Sequence, residues 1–211
     1  MSRGDTARAW HGTLARRDAA ERATGAVIGI LVSGEGTNLQ ALLDAELPVT
    51  AVASNRPGVR ALERAASAGV PGAVFPLGDY ASRAERDAAM ADWLAGRGAR
   101  LVVCAGYMHL LTPGFLERFP VLNVHPSLLP AFPGMHAVED ALAAGVAETG
   151  VTVHFVDEGI DTGPVVLQER VPVEPGDTAE SLHARLHEVE HRLLPQAARL
   201  YLEGGLRSPE S

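Results

Sequence analysis

The sequence predicts an α/β fold: three-layer and Rossmann-like, with a mostly parallel sheet and helices on both faces. Two observations carry that expectation. From residue 26 onward, short apolar runs alternate with stretches of helical periodicity, the rhythm of repeated βα units. The first apolar run also leads directly into the Gly-rich turn Ser33-Gly34-Glu35-Gly36-Thr37-Asn38, and open α/β sheets bind ligands at such strand ends. With 211 residues the chain suits one domain, placed at 26–205. Residues 1–25 read as a poorly ordered extension and 206–211 as a tail.

The elements follow in order. A first strand is expected at 26–32 and a short helix from the Gly-rich turn to about residue 45. A second strand covers 49–54, a helix 59–68 and a third strand 73–77. The amphipathic stretch 82–94 has Ser82 at the N-cap and Glu85 three residues on, the capping-box spacing. A central buried strand covers 101–106, a short helix 113–119 and a strand 121–125, which Pro126 ends. Pro126, Pro130 and Pro133 make the following loop stiff and irregular. A helix covers 136–144, and strands 150–156 and 165–173 flank the acidic loop 157–164. The last helix starts at Asp177 or Thr178 and runs to about residue 203, with a kink expected at Pro195.

Composition narrows the chemistry. Net charge is −8, against the clustered cations that a broad nucleic-acid surface needs. A small anion pocket needs no such excess, because backbone N–H groups at a helix start can form one. All 18 basic residues are arginine, which excludes a Walker-type phosphate loop, pyridoxal-phosphate chemistry and lysine Schiff bases. Cys104 is the only cysteine and lies in an apolar run, so an internal disulfide and a cysteine zinc cluster are excluded and a buried structural thiol is expected. No apolar stretch reaches the roughly 20 residues that span a bilayer, and the first 25 residues hold no hydrophobic centre. The expectation is a cytoplasmic protein without membrane or nucleic-acid partners.

Four places carry candidate chemistry. In the first βα turn, Gly34 and Gly36 allow close backbone approach, and Thr37 and Asn38 offer side-chain and N–H donors. The third glycine of the dinucleotide fingerprint is missing, so a monophosphate fits better than a pyrophosphate; a merely connecting turn is the plain alternative. Asn123 and His125 stand two apart on a strand and share a face, as a reactive pair or as a structural one. Asp161 lies in the acidic Gly-bearing loop, which lacks the alternating ligands of a calcium loop. A carboxylate placed near an imidazole would raise its pKa and orient it, but spacing alone does not bring Asp161 to His125. His187-Glu188-Val189-Glu190-His191 matches H-E-x-x-H, the two-histidine pattern of zinc hydrolases, with His183 on the same face. Against it, no G-x-x-H follows and Arg192 adjoins the second histidine.

Taken together, these segments resemble the glycinamide ribonucleotide formyltransferases of purine synthesis, from about residue 26 to 204. The carriers are Ser33-Gly34-Glu35-Gly36-Thr37-Asn38-Leu39-Gln40, Ala105-Gly106-Tyr107-Met108 and Asn123-Val124-His125-Pro126-Ser127-Leu128-Leu129-Pro130. Pro133-Gly134-Met135-His136, His154-Phe155-Val156 and Asp161-Thr162-Gly163-Pro164 complete the set. The resemblance implies a catalytic triad of Asn123, His125 and Asp161. It implies that Gly36, Thr37, Asn38 and Leu39 hold the substrate phosphate and that Glu190 contacts the glycinamide end. It places the folate of 10-formyltetrahydrofolate near Met108, His109, Leu110, Leu111 and Asn123, with Arg83 reaching its glutamate carboxylate. No metal is required. His109 stands where the family commonly has arginine, and Thr162 where it commonly has glycine.

The implied partners are thus small molecules, glycinamide ribonucleotide and the formyl folate, acting on a monomer or homodimer. Hydrolysis of 10-formyltetrahydrofolate is the nearest rival, but that family carries a regulatory domain for which about 25 residues do not suffice. Methionyl-tRNA formylation fits less well with an acidic chain that has no added carboxy-terminal domain. From other classes, a zinc hydrolase built on His187 and His191 and a non-catalytic phosphate-ligand module remain alternatives.

Overall fold

The computed structural model describes residues 27–206; the extension expected at 1–25 and all but the first residue of the tail lie outside the described residues. The sheet has seven strands in the order β3-β2-β1-β4-β5-β6-β7. They are β1 Val27–Val32, β2 Val49–Ser54, β3 Gly72–Val74, β4 Ala99–Cys104, β5 Val121–His125, β6 Glu148–Phe155 and β7 Val165–Pro172. β3, β2, β1, β4 and β5 run parallel, whereas β6 is antiparallel to β5 and β7 to β6. This is the mostly parallel sheet that the sequence predicts. The helices are α1 Thr37–Asp44, α2 Arg60–Ser67, α3 Arg83–Ala95, α4 Pro113–Leu116, α5 Ala137–Ala143 and α6 Ala179–Leu202.

Period-2 alternation along β1 builds the two faces. Ile28, Ile30 and Val32 point into one apolar layer with Leu39 and Leu42 of α1, Ala61 and Ala65 of α2, and Leu186 and Leu194 of α6. Leu31 points to the other layer, with Met90, Ala91 and Leu94 of α3 and Phe115 of α4. Fully burying such a side chain contributes about 1.5–3 kcal/mol. Cys104 belongs to that second layer, where burial pushes its thiol up to about 12; it is the structural thiol expected.

Local chemistry sets the helix ends. Ser82 Oγ accepts from the Glu85 N–H at 3.1 Å, as its position predicts. The Glu85 carboxylate, however, reaches back to the Ala81 N–H at 3.2 Å, one residue beyond the usual capping-box donor. The reciprocal box forms instead on α6, between Thr178 and Ser181. Leu182, Leu186, Val189 and Leu193 are the buried stripe of α6, and Pro195 lies buried within the helix. The third strand is shorter than expected. It ends at Val74, and after Pro76 the chain makes a 3-10 turn, Leu77–Asp79, because proline supplies no ladder N–H. The central strand likewise begins at Ala99 and ends at Cys104, two residues earlier than its apolar run suggests at each end.

The pairing of β6 and β7 brings backbone very close at Gly150. A Cβ there would lie 2.1 Å from the Glu169 carbonyl oxygen and 2.5 Å from Leu128 Cδ2. Gly150→Ala is therefore expected to cost roughly 1–3 kcal/mol as an overpacked site. A fall in the urea midpoint at unchanged slope measures it; an unchanged midpoint would show that the strands yield freely.

Candidate active site

The strand order reverses between β1 and β4. The crevice at their carboxyl ends is where a doubly wound sheet exposes loop backbone to a ligand. Two loops leave there: the turn after β1 and the segment Ala105–Leu111 after β4. Ser33, 3% exposed, joins them. Its hydroxyl accepts from the Met108 N–H at 3.0 Å and donates to Asn55 Oδ1 at 2.7 Å. Sequence reasoning missed this tie, because a serine in a Gly-rich turn reads as one more small residue.

Gly36 is the N-cap of α1, with φ 73°. A Cβ at that position would sit 2.6 Å from Ala61 Cβ, so glycine serves both conformation and space. The N–H groups of Thr37, Asn38 and Leu39 form the first turn, whose donors have no intrahelical acceptor. The side chains do not all follow the expectation. Leu39 is buried in the core, leaving only its backbone for a ligand. Asn38, expected to donate to an anion, instead gives its amide to Glu190 Oε2 at 2.8 Å, and its buried Oδ1 has no hydrogen-bond partner. Glu190 of α6 is thereby bound to the turn after β1, 152 residues earlier in the chain.

Asn123, His125 and Asp161 come together as the resemblance implies. Asp161 Oδ2 lies 3.3 Å from His125 Nδ1 and accepts from the Gly134 N–H at 2.8 Å. A fourth residue, His154, joins them. Its Nε2 lies 3.5 Å from Asp161 Oδ1 and 3.3 Å from Asn123 Nδ2. Burial pushes the Asp161 carboxyl upward, but hydrogen bonds from His154 and Gly134 and the nearby imidazoles outweigh it and hold it below the usual carboxylate range. The Asp161 backbone has φ 54°, an uncommon conformation for a side-chain-bearing residue, and His154 is the cross-strand partner of Asn123 in β6.

The protons of this cluster can be traced. His154 Nδ1 is 2.8 Å from the Phe155 carbonyl, which only accepts, so that nitrogen carries hydrogen. A neutral His154 then offers its Nε2 lone pair to the Asn123 amide, and a protonated one donates from Nε2 to Asp161. His125 Nε2 faces the Phe132 carbonyl at 2.8 Å, so each nitrogen of that ring also faces an acceptor. Thr162 is accommodated within the acidic loop: its hydroxyl donates to Asp157 Oδ1 at 2.7 Å and packs where a side chain on Gly159 would otherwise lie.

The residues expected beside a folate divide by exposure. Met108 and Leu110 are 63% and 50% exposed, while Leu111 is buried in the core layer and offers only backbone. Arg83 is exposed on the first turn of α3, near enough for its charge to act on His109. Met135 and Ile160 are also exposed, on the two loops that Asp161 links through Gly134. On α6, His187 and His191 stack with ring centroids 5.9 Å apart, and Glu190 turns to Asn38. No group of three or more His, Cys, Asp or Glu side chains is arranged to hold a metal ion among the described residues. No helix among them is long and apolar enough to cross a membrane.

The sequence matches the Formyl transferase family over residues 27–198. It is 49% identical over 175 residues to the phosphoribosylglycinamide formyltransferase of Mycobacterium tuberculosis, covering 80% of this chain and 81% of that protein. The glycinamide ribonucleotide transformylase 1 of Symbiobacterium toebii has a TM-score of 0.83 to this fold at 49% identity, over 85% of this chain and 88% of that one. The chain is also 44% identical over 190 residues to the trifunctional purine biosynthetic protein adenosine-3 of Chironomus tentans, of whose length it spans 14%.

Burial raises the Glu190 carboxyl above its ordinary 4.5, against the opposing pull of the Asn38 hydrogen bond and His183. The folded state therefore holds this proton more tightly than the unfolded chain does. The resulting stability is present at low pH and is lost as pH rises from the ordinary value through the raised one. Glu190→Gln removes that loss, and its amide can donate to the orphaned Asn38 Oδ1. The variant is expected to melt higher than the parent near pH 7.5, by a margin that shrinks toward pH 4.5. Equal melting temperatures at both pH values would contradict the ionised, buried carboxylate.

Proposed function

The chain belongs to the formyl transferase family, and from that premise we propose that it moves a formyl group from 10-formyltetrahydrofolate onto the amine of glycinamide ribonucleotide. The observation that carries this reading is the cluster in which one carboxylate, Asp161, orients His125 and His154 beside the Asn123 amide. The resemblance in sequence to phosphoribosylglycinamide formyltransferases supports it.

In the proposed reaction the substrate nitrogen attacks the formyl carbon, and negative charge develops on the formyl oxygen. Asn123 Nδ2 and His125 Nε2 are the donors for that oxygen. Donors aimed at the place where charge develops stabilise the transition state. His125 Nε2 bonds the Phe132 carbonyl in this arrangement, so the formyl oxygen takes that proton by competing with the carbonyl. As the tetrahedral adduct collapses, the bond to the folate nitrogen breaks and one proton passes from the attacking amine to that nitrogen. The His154–Asp161–His125 cluster can accept and return it. No covalent enzyme intermediate is needed.

Binding divides along the same crevice. The N–H groups of Thr37, Asn38 and Leu39 suit a monophosphate at a helix start, and Glu190, held by Asn38, suits the substrate's amine. Exposed Met108 and Leu110, with exposed Met135 and Ile160 on the loops that Asp161 joins, supply the apolar surface that an aromatic donor requires. Hydrolysis of the formyl donor is the reading to separate from this one, with water replacing the amine.

Loss of 10-formyltetrahydrofolate, followed spectrophotometrically, is expected only when glycinamide ribonucleotide is present. Equal loss without it would identify a hydrolase. Asn123→Ala is expected to lower kcat by about 10²–10³-fold, the magnitude of one lost oxyanion donor. Near-normal turnover by a folded variant would remove Asn123 from the chemistry. Glu190→Gln is expected to weaken use of the ribonucleotide chiefly through KM.

A further inference from the structure

Arg86 is completely buried on α3 and is paired with its neighbour Asp87, equally buried. The guanidinium Nε donates to Asp87 Oδ1 at 2.8 Å, and Nη2 lies 2.7 Å from the same oxygen, in ion-pair range but not aligned as a hydrogen bond. Asp87 Oδ2 accepts from the Thr112 N–H at 2.8 Å, anchoring the pair to the end of the segment that follows β4. The remaining arm, Nη1, lies 2.8 Å from His109 Nδ1.

That contact has one consistent proton arrangement. A guanidinium has five donors, no acceptor, and does not lose its proton in proteins. His109 Nδ1 must therefore present a lone pair, and the ring proton must sit on Nε2. A proton on both nitrogens would set N–H against N–H. The surroundings agree. Partial burial and the charges of Arg86 and Arg83 lower the His109 pKa, and Asp87 opposes them. Tyr107 flanks the ring at 5.9 Å between centroids. Nε2 has no hydrogen-bond partner among the described residues.

We infer that Arg86 fixes His109 as its neutral Nε2–H tautomer, so that the segment after β4 offers the formyl donor a directed hydrogen bond instead of a cationic charge. This rests on the proposed function for its ligand. Arg86 is a positioning residue: at zero exposure it supplies no contact of its own and acts through the ring it orients. His109 is the specificity-determining group, and it selects an acceptor, such as a pteridine carbonyl or a carboxylate oxygen, over a donor.

Histidine-ring proton–nitrogen correlation spectra of the ¹⁵N-labelled full chain test the tautomer directly, with His109 identified by its loss in His109→Gln. The expected pattern is a lone-pair Nδ1 and a protonated Nε2, unchanged from about pH 8 to about pH 5.5, across the ordinary imidazole midpoint. A protonated Nδ1 at any point in that range would overturn the inference. In folded Arg86→Gln the ring is expected to populate both tautomers, since glutamine can donate or accept; an unchanged pattern would show that Arg86 is not what holds it. Because that variant removes half of a buried ion pair, the parent spectra and the two His109 variants decide the matter if it does not fold. By calorimetry, His109→Gln is expected to bind tetrahydrofolate within about threefold of the parent, and His109→Leu about tenfold more weakly, the scale of one hydrogen bond. Equal binding by all three would overturn the ligand-facing role. Failure of the parent itself to bind tetrahydrofolate would overturn the proposed function and that role together, while the tautomer still stands or falls on the spectra.

Discussion

The Asp161 carboxylate is the point on which the site's geometry hangs. It reaches His125 on β5 and His154 on β6 and takes the Gly134 N–H from the proline-bearing loop between β5 and α5. A half-buried carboxylate without such partners would carry a desolvation cost of several kcal/mol, so the loop that holds it is drawn against the strands. The backbone is shaped accordingly. Asp161 adopts φ 54°, and at Gly163 a Cβ would lie 1.8 Å from the Phe155 carbonyl oxygen. Two imidazoles and two loops thus take their positions from one side chain.

Around that point, the sheet divides the work. The parallel strands β1 and β4 deliver two loops to the crevice, and Ser33 couples them. The antiparallel pairing of β5 with β6 sets Asn123 against His154, because opposite residues of adjacent strands lie side by side. The long helix α6 then closes the region from one layer by setting Glu190 against Asn38, and α3 supports it from the other through Arg86 and Asp87. Both layers therefore contribute buried polar contacts, and neither face of the sheet is merely structural.

How much of this could be read in advance depended on the range of each signal. The apolar run of β1, the N-cap of Ser82 and the shared face of Asn123 and His125 are local patterns, legible in the sequence. Only the resemblance brings Asp161 to His125, since the chain between them carries no geometric information. His154 was passed over as chemistry for a related reason: its nearness to Asn123 arises from an antiparallel register that no local periodicity encodes. The role of Arg86 has no local sequence signal. An arginine in an amphipathic helix ordinarily faces water, and here it is sealed beneath the segment it supports. The early end of β3 has its sequence signal in Pro76, set among apolar residues that favour a longer strand.

The bond between Asn38 and Glu190 also has a consequence in time. The chain emerges amino-terminus first during synthesis, and its early parts begin to organise before the rest exists. The turn after β1 is among the first described pieces to appear, and α6 is the last. Until α6 arrives, Asn38 lacks its carboxylate partner, and Ile30, Leu39 and Leu42 lack the Leu186 and Leu194 that cover them. A nascent chain that lacks α6 therefore leaves this flank of the sheet without its apolar cover. The closing of this apolar layer waits on α6.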